Sequence, residues 1–99
     1  MSKPKSDLSK KNLETAIGIM DGFSHPVRLT IISALYKEEH TVTELSELSN
    51  VSQSVASQHL AKLRQLGILD SRKELNRVYY YIKDAKAKEL YKAVLKLFG

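Results

Sequence analysis

The sequence predicts a small, mainly α-helical domain with one β-hairpin late in the chain, in the order α-α-α-α-β-β-α. Three observations predict it. Apolar residues recur at helical spacing from Leu13 to Leu66. A branched and aromatic stretch, Arg77 to Ile82, then follows a short turn at Glu74-Leu75-Asn76. Helical spacing returns from Asp84 onward. The 99 residues are the length of a single domain. Such a chain buries only roughly 60–65% of its unfolded surface, which favours a dimer over a marginal monomer.

The first eleven residues are polar, contain Pro4 and lack periodicity, so residues 1–11 read as a mobile basic tail and 12–99 as the domain. Leu13, Ala16, Ile17 and Met20 mark one face of a first helix, with Gly22 as its expected stop. Ser24 is the expected cap of the second helix and Pro26 sits in its first turn. That helix is apolar almost all round, from Val27 to Tyr36, the signature of a central element. Thr41 and Glu44 fit a capping box opening a short third helix, with Leu45 and Leu48 facing inward and Asn50 ending it. Ser52 caps a fourth helix running from Gln53 to Leu66, closed by Gly67. Two short helices joined by a tight polar turn make a helix-turn-helix, and the hairpin and last helix extend it to a winged helix-turn-helix.

Composition excludes several classes. No apolar run is long enough for a transmembrane helix, and no apolar core follows the N-terminal lysines as a secretory signal would require. The chain is therefore expected in the cytoplasm. The absence of Cys removes disulfides, thiolate metal sites and thiol redox switches. Neither a Gly-rich phosphate loop nor a Ser–His–Asp arrangement is visible, so no enzyme is expected. The net charge of +5 is distributed unevenly, with an acidic stretch at 37–47 between basic ones at 1–11, 62–77 and 78–99. An oriented polyanion-binding face and an ordinary solvated surface both fit that distribution.

The fourth helix is more specific. At about 100° per residue, Ala56, Leu60 and Leu63 share the core face. Ser54, Ser57, Gln58 and Ala61 occupy the outer side, where a solvated helix would normally carry Lys or Glu. Short hydroxyl and amide groups let a helix lie close in the major groove, where Gln can bond adenine bidentately and Ser can reach base edges or phosphates. The helix N-terminus adds backbone N–H groups near Ser52, which suit a phosphate. Arg72, Lys73 and Arg77 cluster around the hairpin turn, where they can reach phosphates or the adjacent minor groove, or simply blunt an edge strand. Lys62 and Arg64 read equally as phosphate contacts or surface charges. Of the three consecutive tyrosines, strand alternation sends Tyr79 and Tyr81 to one face and Tyr80 to the other, which favours packing over stacking on single-stranded bases.

Leu13, Ile17 and Met20 on the first helix, with Leu90, Tyr91, Val94 and Leu97 on the last, form two apolar stripes suited to a seam across a two-fold axis. A winged helix used only for protein–protein contact, without DNA, is the alternative. The uncharged Ser/Gln face argues against it.

These residues resemble the ArsR/SmtB family of bacterial repressors. The likeness is carried by Ser24-His25-Pro26-Val27-Arg28-Leu29, Thr43-Glu44-Leu45, Ser52-Gln53-Ser54, Ser57-Gln58-His59-Leu60, Leu63-Arg64 with Leu66-Gly67, and Arg77-Val78-Tyr79-Tyr80. The resemblance spans about Leu13 to Leu97. It implies a homodimeric, nucleoid-associated repressor whose recognition helices enter successive major grooves of an inverted-repeat operator in double-stranded DNA. Carried over by position, the recognition slots are Gln53, Ser54, Ser57 and Gln58, and the wing residues are Arg72 and Arg77.

Two departures accompany the likeness. A Cys-Val-Cys metal element of many members reads Thr41-Val42-Thr43 here, and the Asp-x-His pattern of the last helix, laid on Asp84, finds Lys86 and Leu97. The chain thus resembles the metal-independent members, with no cofactor expected and no effector indicated. His25, His40 and His59 lack the spacing of a helical metal pair. His59 is expected at the rim of the core, with a phosphate contact as the alternative, and His25 in a local polar contact at the start of the second helix.

Overall fold

In the computed structural model, which describes residues 7–99, the elements follow the expected order. They are α1 (Lys10–Phe23), α2 (Pro26–Lys37), α3 (Val42–Ser49), α4 (Gln53–Gln65), β1 (Leu69–Glu74), β2 (Arg77–Ile82) and α5 (Ala85–Phe98). Residues 1–6, the greater part of the expected tail, lie outside the described residues. Lys10 and Lys11 do not belong to a tail. Ser9 caps α1 by accepting the Asn12 N–H at 3.1 Å, so both lysines form its first turn.

α2 is the central helix because Ile31, Ile32 and Leu35 point into the core while Val27, Leu29, Ala34 and Tyr36 pack around it. Each fully buried aliphatic side chain contributes about 1.5–3 kcal/mol. The cap of α2 is His25 rather than Ser24: the His25 Nδ1 accepts the Val27 N–H at 3.1 Å, with Pro26 in the first turn. Ser24 instead closes α1, its backbone N–H and hydroxyl both donating to the Asp21 carbonyl.

Gly22 does not stop α1, which continues to Phe23. It is buried, and a Cβ there would lie 2.3 Å from Ile68 Cδ1 and 3.2 Å from Leu63 Cδ2. The glycine lets α1 approach the end of α4 and the start of β1. Gly22→Ala is expected to lower stability by about 1–3 kcal/mol through overpacking, although alanine is the better helix former. Urea denaturation would measure it, and an unchanged or raised midpoint would contradict this packing.

The capping box of α3 forms as the sequence predicts, with Glu44 N–H donating to Thr41 Oγ1 at 3.3 Å and Thr41 N–H donating to Glu44 Oε1 at 2.9 Å. The Thr41 N–H holds the Glu44 carboxyl below its ordinary value. Of the two leucines expected inward, only Leu45 is buried; Leu48 is exposed. The inner stripe of α3 runs through Val42, Leu45, Ser46 and Ser49, so Leu48 falls beside it.

α4 ends one residue before Leu66, in a Schellman arrangement. Gly67 adopts φ +77°, its N–H donates to the Arg64 carbonyl, and the Ile68 N–H donates to the Leu63 carbonyl. β1 and β2 pair antiparallel, with Leu69 opposite Ile82 and Glu74 opposite Arg77. Only Leu75 and Asn76 connect them. Leu75 takes φ +56°, a conformation that costs a residue with a Cβ about 1–2 kcal/mol relative to glycine. Strand alternation sends Tyr80 to the core and leaves Tyr79 and Tyr81 on the other face. A further bridge joins His40 to Tyr80, so the loop before α3 runs alongside β2.

Candidate nucleic-acid interface

The outer face of α4 is built by its core face. Ala56, Leu60 and Leu63 are buried, and this rotation leaves Gln53, Ser54, Ser57, Gln58 and Ala61 exposed. No side chain of Gln53, Ser54, Ser57 or Gln58 makes a hydrogen bond within the described residues. Together they form an uncharged surface of free amide and hydroxyl groups. Ser52 differs, since its hydroxyl oxygen is engaged by the Val55 N–H at 3.1 Å.

The expected cations fall into two sets. Lys62 lies 3.6 Å from Asp21 of α1, and Arg64 lies 3.7 Å from Asp70 of β1. Arg72 donates to Glu39 in the loop before α3 and to Glu74 at 3.2 Å, and its guanidinium lies 4.9 Å from the Tyr79 ring centre. These carboxylates raise the Arg72 pKa above its ordinary value, Glu39 most. Arg72, two ladder pairs from the turn, therefore ties the outer half of the hairpin to the loop before α3. Lys73 and Arg77, either side of the turn, make no ion pair among the described residues.

His59 is half-buried and His25 caps α2, and the fold brings the two rings together, a contact that the sequence did not indicate. Their ring centres lie 4.4 Å apart, which joins α4 to the start of α2. Burial, then the neighbouring His25 and Arg28, lowers the His59 pKa below its ordinary value. His40 sits against Glu44 at 3.6 Å. Among the described residues no three or more His, Cys, Asp or Glu side chains gather as metal ligands do.

The apolar stripes need one correction. Tyr91 is only 8% exposed within a single chain, bonded to Ser33 at 2.6 Å and 5.0 Å from the Tyr36 ring, so it belongs to the core. The angle of α5 that turns Ala87 inward turns Tyr91 inward with it. Leu13, Leu90 and Val94 are half-buried, whereas Ile17, Met20 and Leu97 are exposed. Between α1 and α5 runs an open, mostly apolar groove lined by Ala16, Ile19, Met20 and Leu90 among others. Phe98, 83% exposed, extends the apolar surface of α5.

The sequence profile described as "Bacterial regulatory protein, arsR family" matches residues 25–71, from the cap of α2 to β1. The biofilm growth-associated repressor of Xylella fastidiosa is 33% identical over 94 residues, spanning 95% of this chain and 82% of that protein. The chain belongs to the arsR family. The transcriptional activator HlyU of Vibrio cholerae is 34% identical over 89 residues, which are 90% of this chain and 82% of that protein. Its solved structure superposes with a TM-score of 0.86, covering 91% of this chain and 98% of that one. The crystal structure of NolR from Sinorhizobium fredii, 31% identical, superposes with a TM-score of 0.83 over 99% of this chain and 98% of that one. This member of the arsR family is thus a winged helix-turn-helix, DNA-binding transcriptional regulator and not an enzyme. The reading as a protein–protein module without DNA gives way. No helix among the described residues is long and apolar enough to cross a membrane.

Proposed function

We propose that the protein is a homodimeric repressor that binds an inverted-repeat operator, acting in the bacterial cytoplasm on the nucleoid. The observation that carries this reading is the α4 face of Gln53, Ser54, Ser57 and Gln58, exposed and unbonded within the chain. Exposed helix surface normally carries charge; a face of free amides and small hydroxyls matches the donors and acceptors of base edges in the major groove. Gln53 and Gln58 make the sequence-reading contacts, Ser54 and Ser57 allow close approach, and Ser52 stands where the helix N-terminus meets a phosphate.

The cations divide by their partners. Lys73 and Arg77 supply charge to the DNA backbone from the wing. Arg72 holds the wing in position. Lys62 and Arg64 contribute only as far as phosphates displace Asp21 and Asp70. The open groove and the exposed Ile17, Met20 and Leu97 support dimerisation through α1 and α5, with Leu13, Leu90 and Val94 at the margin. Repression is favoured by the named function of the Xylella relative, and the activator name of the Vibrio relative supplies the competing outcome.

Selection from a random pool of double-stranded DNA tests the reading. The expected product is an inverted repeat whose half-sites are centred about 10–10.5 base pairs apart, one helical turn. A pool that shows no enrichment, or an asymmetric single site, overturns it. A promoter carrying the selected site ahead of a reporter then separates repression from activation.

A further inference from the structure

At the far end of the wing stands a residue that the proposed contacts do not use. Leu75 is 93% exposed, the most exposed of the large apolar side chains among the described residues, and it holds a left-handed backbone conformation at φ +56°. A two-residue hairpin turn favours glycine or asparagine at such a position. Leucine there is unfavourable twice, once for its backbone and once for its exposed apolar surface. Strain of this kind at a surface tip is a motive to look for a ligand.

The surroundings of Leu75 indicate the ligand. Lys73 and Arg77, two residues to either side, are unpaired among the described residues, while the intervening carboxylate of Glu74 is drawn back to Arg72. The tip therefore presents one apolar side chain between two available cations. A six-residue strand reaches about 17–20 Å, so β1 carries this tip about that far from the strand's own start, and Asn76 to Val78 lie beside the first turn of α3. We propose that Leu75 seats on the floor of the DNA minor groove beside the half-site, over A·T pairs, while Lys73 and Arg77 hold the flanking phosphates. The inference rests on the DNA-binding reading above and adds a specificity-determining residue to it. An A·T pair leaves the minor-groove floor clear for an apolar side chain; a G·C pair places the guanine 2-amino group there. Leu75 thus confers a preference for A·T flanks that the α4 face does not produce.

The test uses the full chain and the selected duplex in three forms, with A·T, G·C or inosine·C pairs in the flank. The parent is expected to bind the A·T and inosine·C forms about 3–10-fold more tightly than the G·C form, the size of a modest groove contact. Leu75→Asn and Leu75→Gly should lose that preference by weakening on the first two forms alone. Their salt dependence should not change, because no charge is removed, whereas Arg77→Ala should lower the salt slope by about one unit on all three. Both Leu75 variants should melt at or above the parent temperature, since each relieves the backbone. Equal binding of parent and Leu75 variants on every duplex overturns the inference, as does a uniform loss regardless of flank. A change in sedimentation with DNA binding intact would assign Leu75 to a protein contact and equally overturn it. If the parent itself binds no duplex, the underlying DNA reading fails instead, and the two failures are distinguishable.

Discussion

Replacing Ile17 and Leu97 by glutamate is expected to yield a folded monomer that binds the full inverted repeat about 10²–10⁴-fold more weakly than the parent, through loss of the second linked binding event. Ile17 is 54% and Leu97 76% exposed within one chain, so glutamate at either position disturbs little of the protomer's own packing. In a seam across a two-fold axis the same carboxylates would be desolvated next to apolar surface, which costs several kcal/mol per ion. Substituting the half-buried Leu90 or Val94 would be less informative, because these residues also support the chain internally. Sedimentation at micromolar concentration, circular dichroism and a binding titration together check the expectation. A parent that sediments as a monomer, or a double variant that keeps both dimer and affinity, would rule out the α1–α5 seam.

Ser57→Asp is expected to reduce operator affinity by about two orders of magnitude, while Ser57→Ala changes it only a few-fold. The Ser57 hydroxyl makes no hydrogen bond within the described residues and faces solvent, so neither substitution should move the melting temperature beyond the small effect of an exposed site. The difference between the variants isolates charge. A carboxylate on the face that enters the groove meets the negative potential of the DNA, and such like-charge contacts cost several kcal/mol. Phosphorylation at the same hydroxyl would add close to two negative charges and act in the same direction. Equal affinities for the aspartate and alanine variants would place the DNA on another face of the protein.

The two substitutions probe features that differ in how far the sequence exposes them. The α4 face was legible because it depends on one helix alone: Ala56, Leu60 and Leu63 point inward, so the opposite side must face out. The apolar stripes of α1 and α5 were legible only in outline. Helical spacing groups Tyr91 with Leu90 and Val94, but it does not say which of them the chain covers for itself. Tyr91 is claimed by Ser33 and Tyr36 on α2, and no pattern within α5 reveals that. Gly22 shows the same limit, since local rules read a glycine near a helix end as a stop and only the nearness of Ile68 gives its purpose.

By itself, then, the sequence determined the order of the elements, the capping box at Thr41 and Glu44, the Ser52 cap, the Gly67 ending and the composition of the outer face of α4. All of these rest on interactions within about four residues, whose geometry the helix or strand repeat sets. The tertiary structure alone decided which cations remain available, which apolar residues remain exposed, and that Leu75 stands bare on a strained turn. Arg72 is neutralised by Glu39, 33 positions away, and Tyr91 is held by Ser33, 58 positions away. Charge and apolar character are written in each residue, but their neutralisation or burial depends on neighbours that only the folded chain brings together.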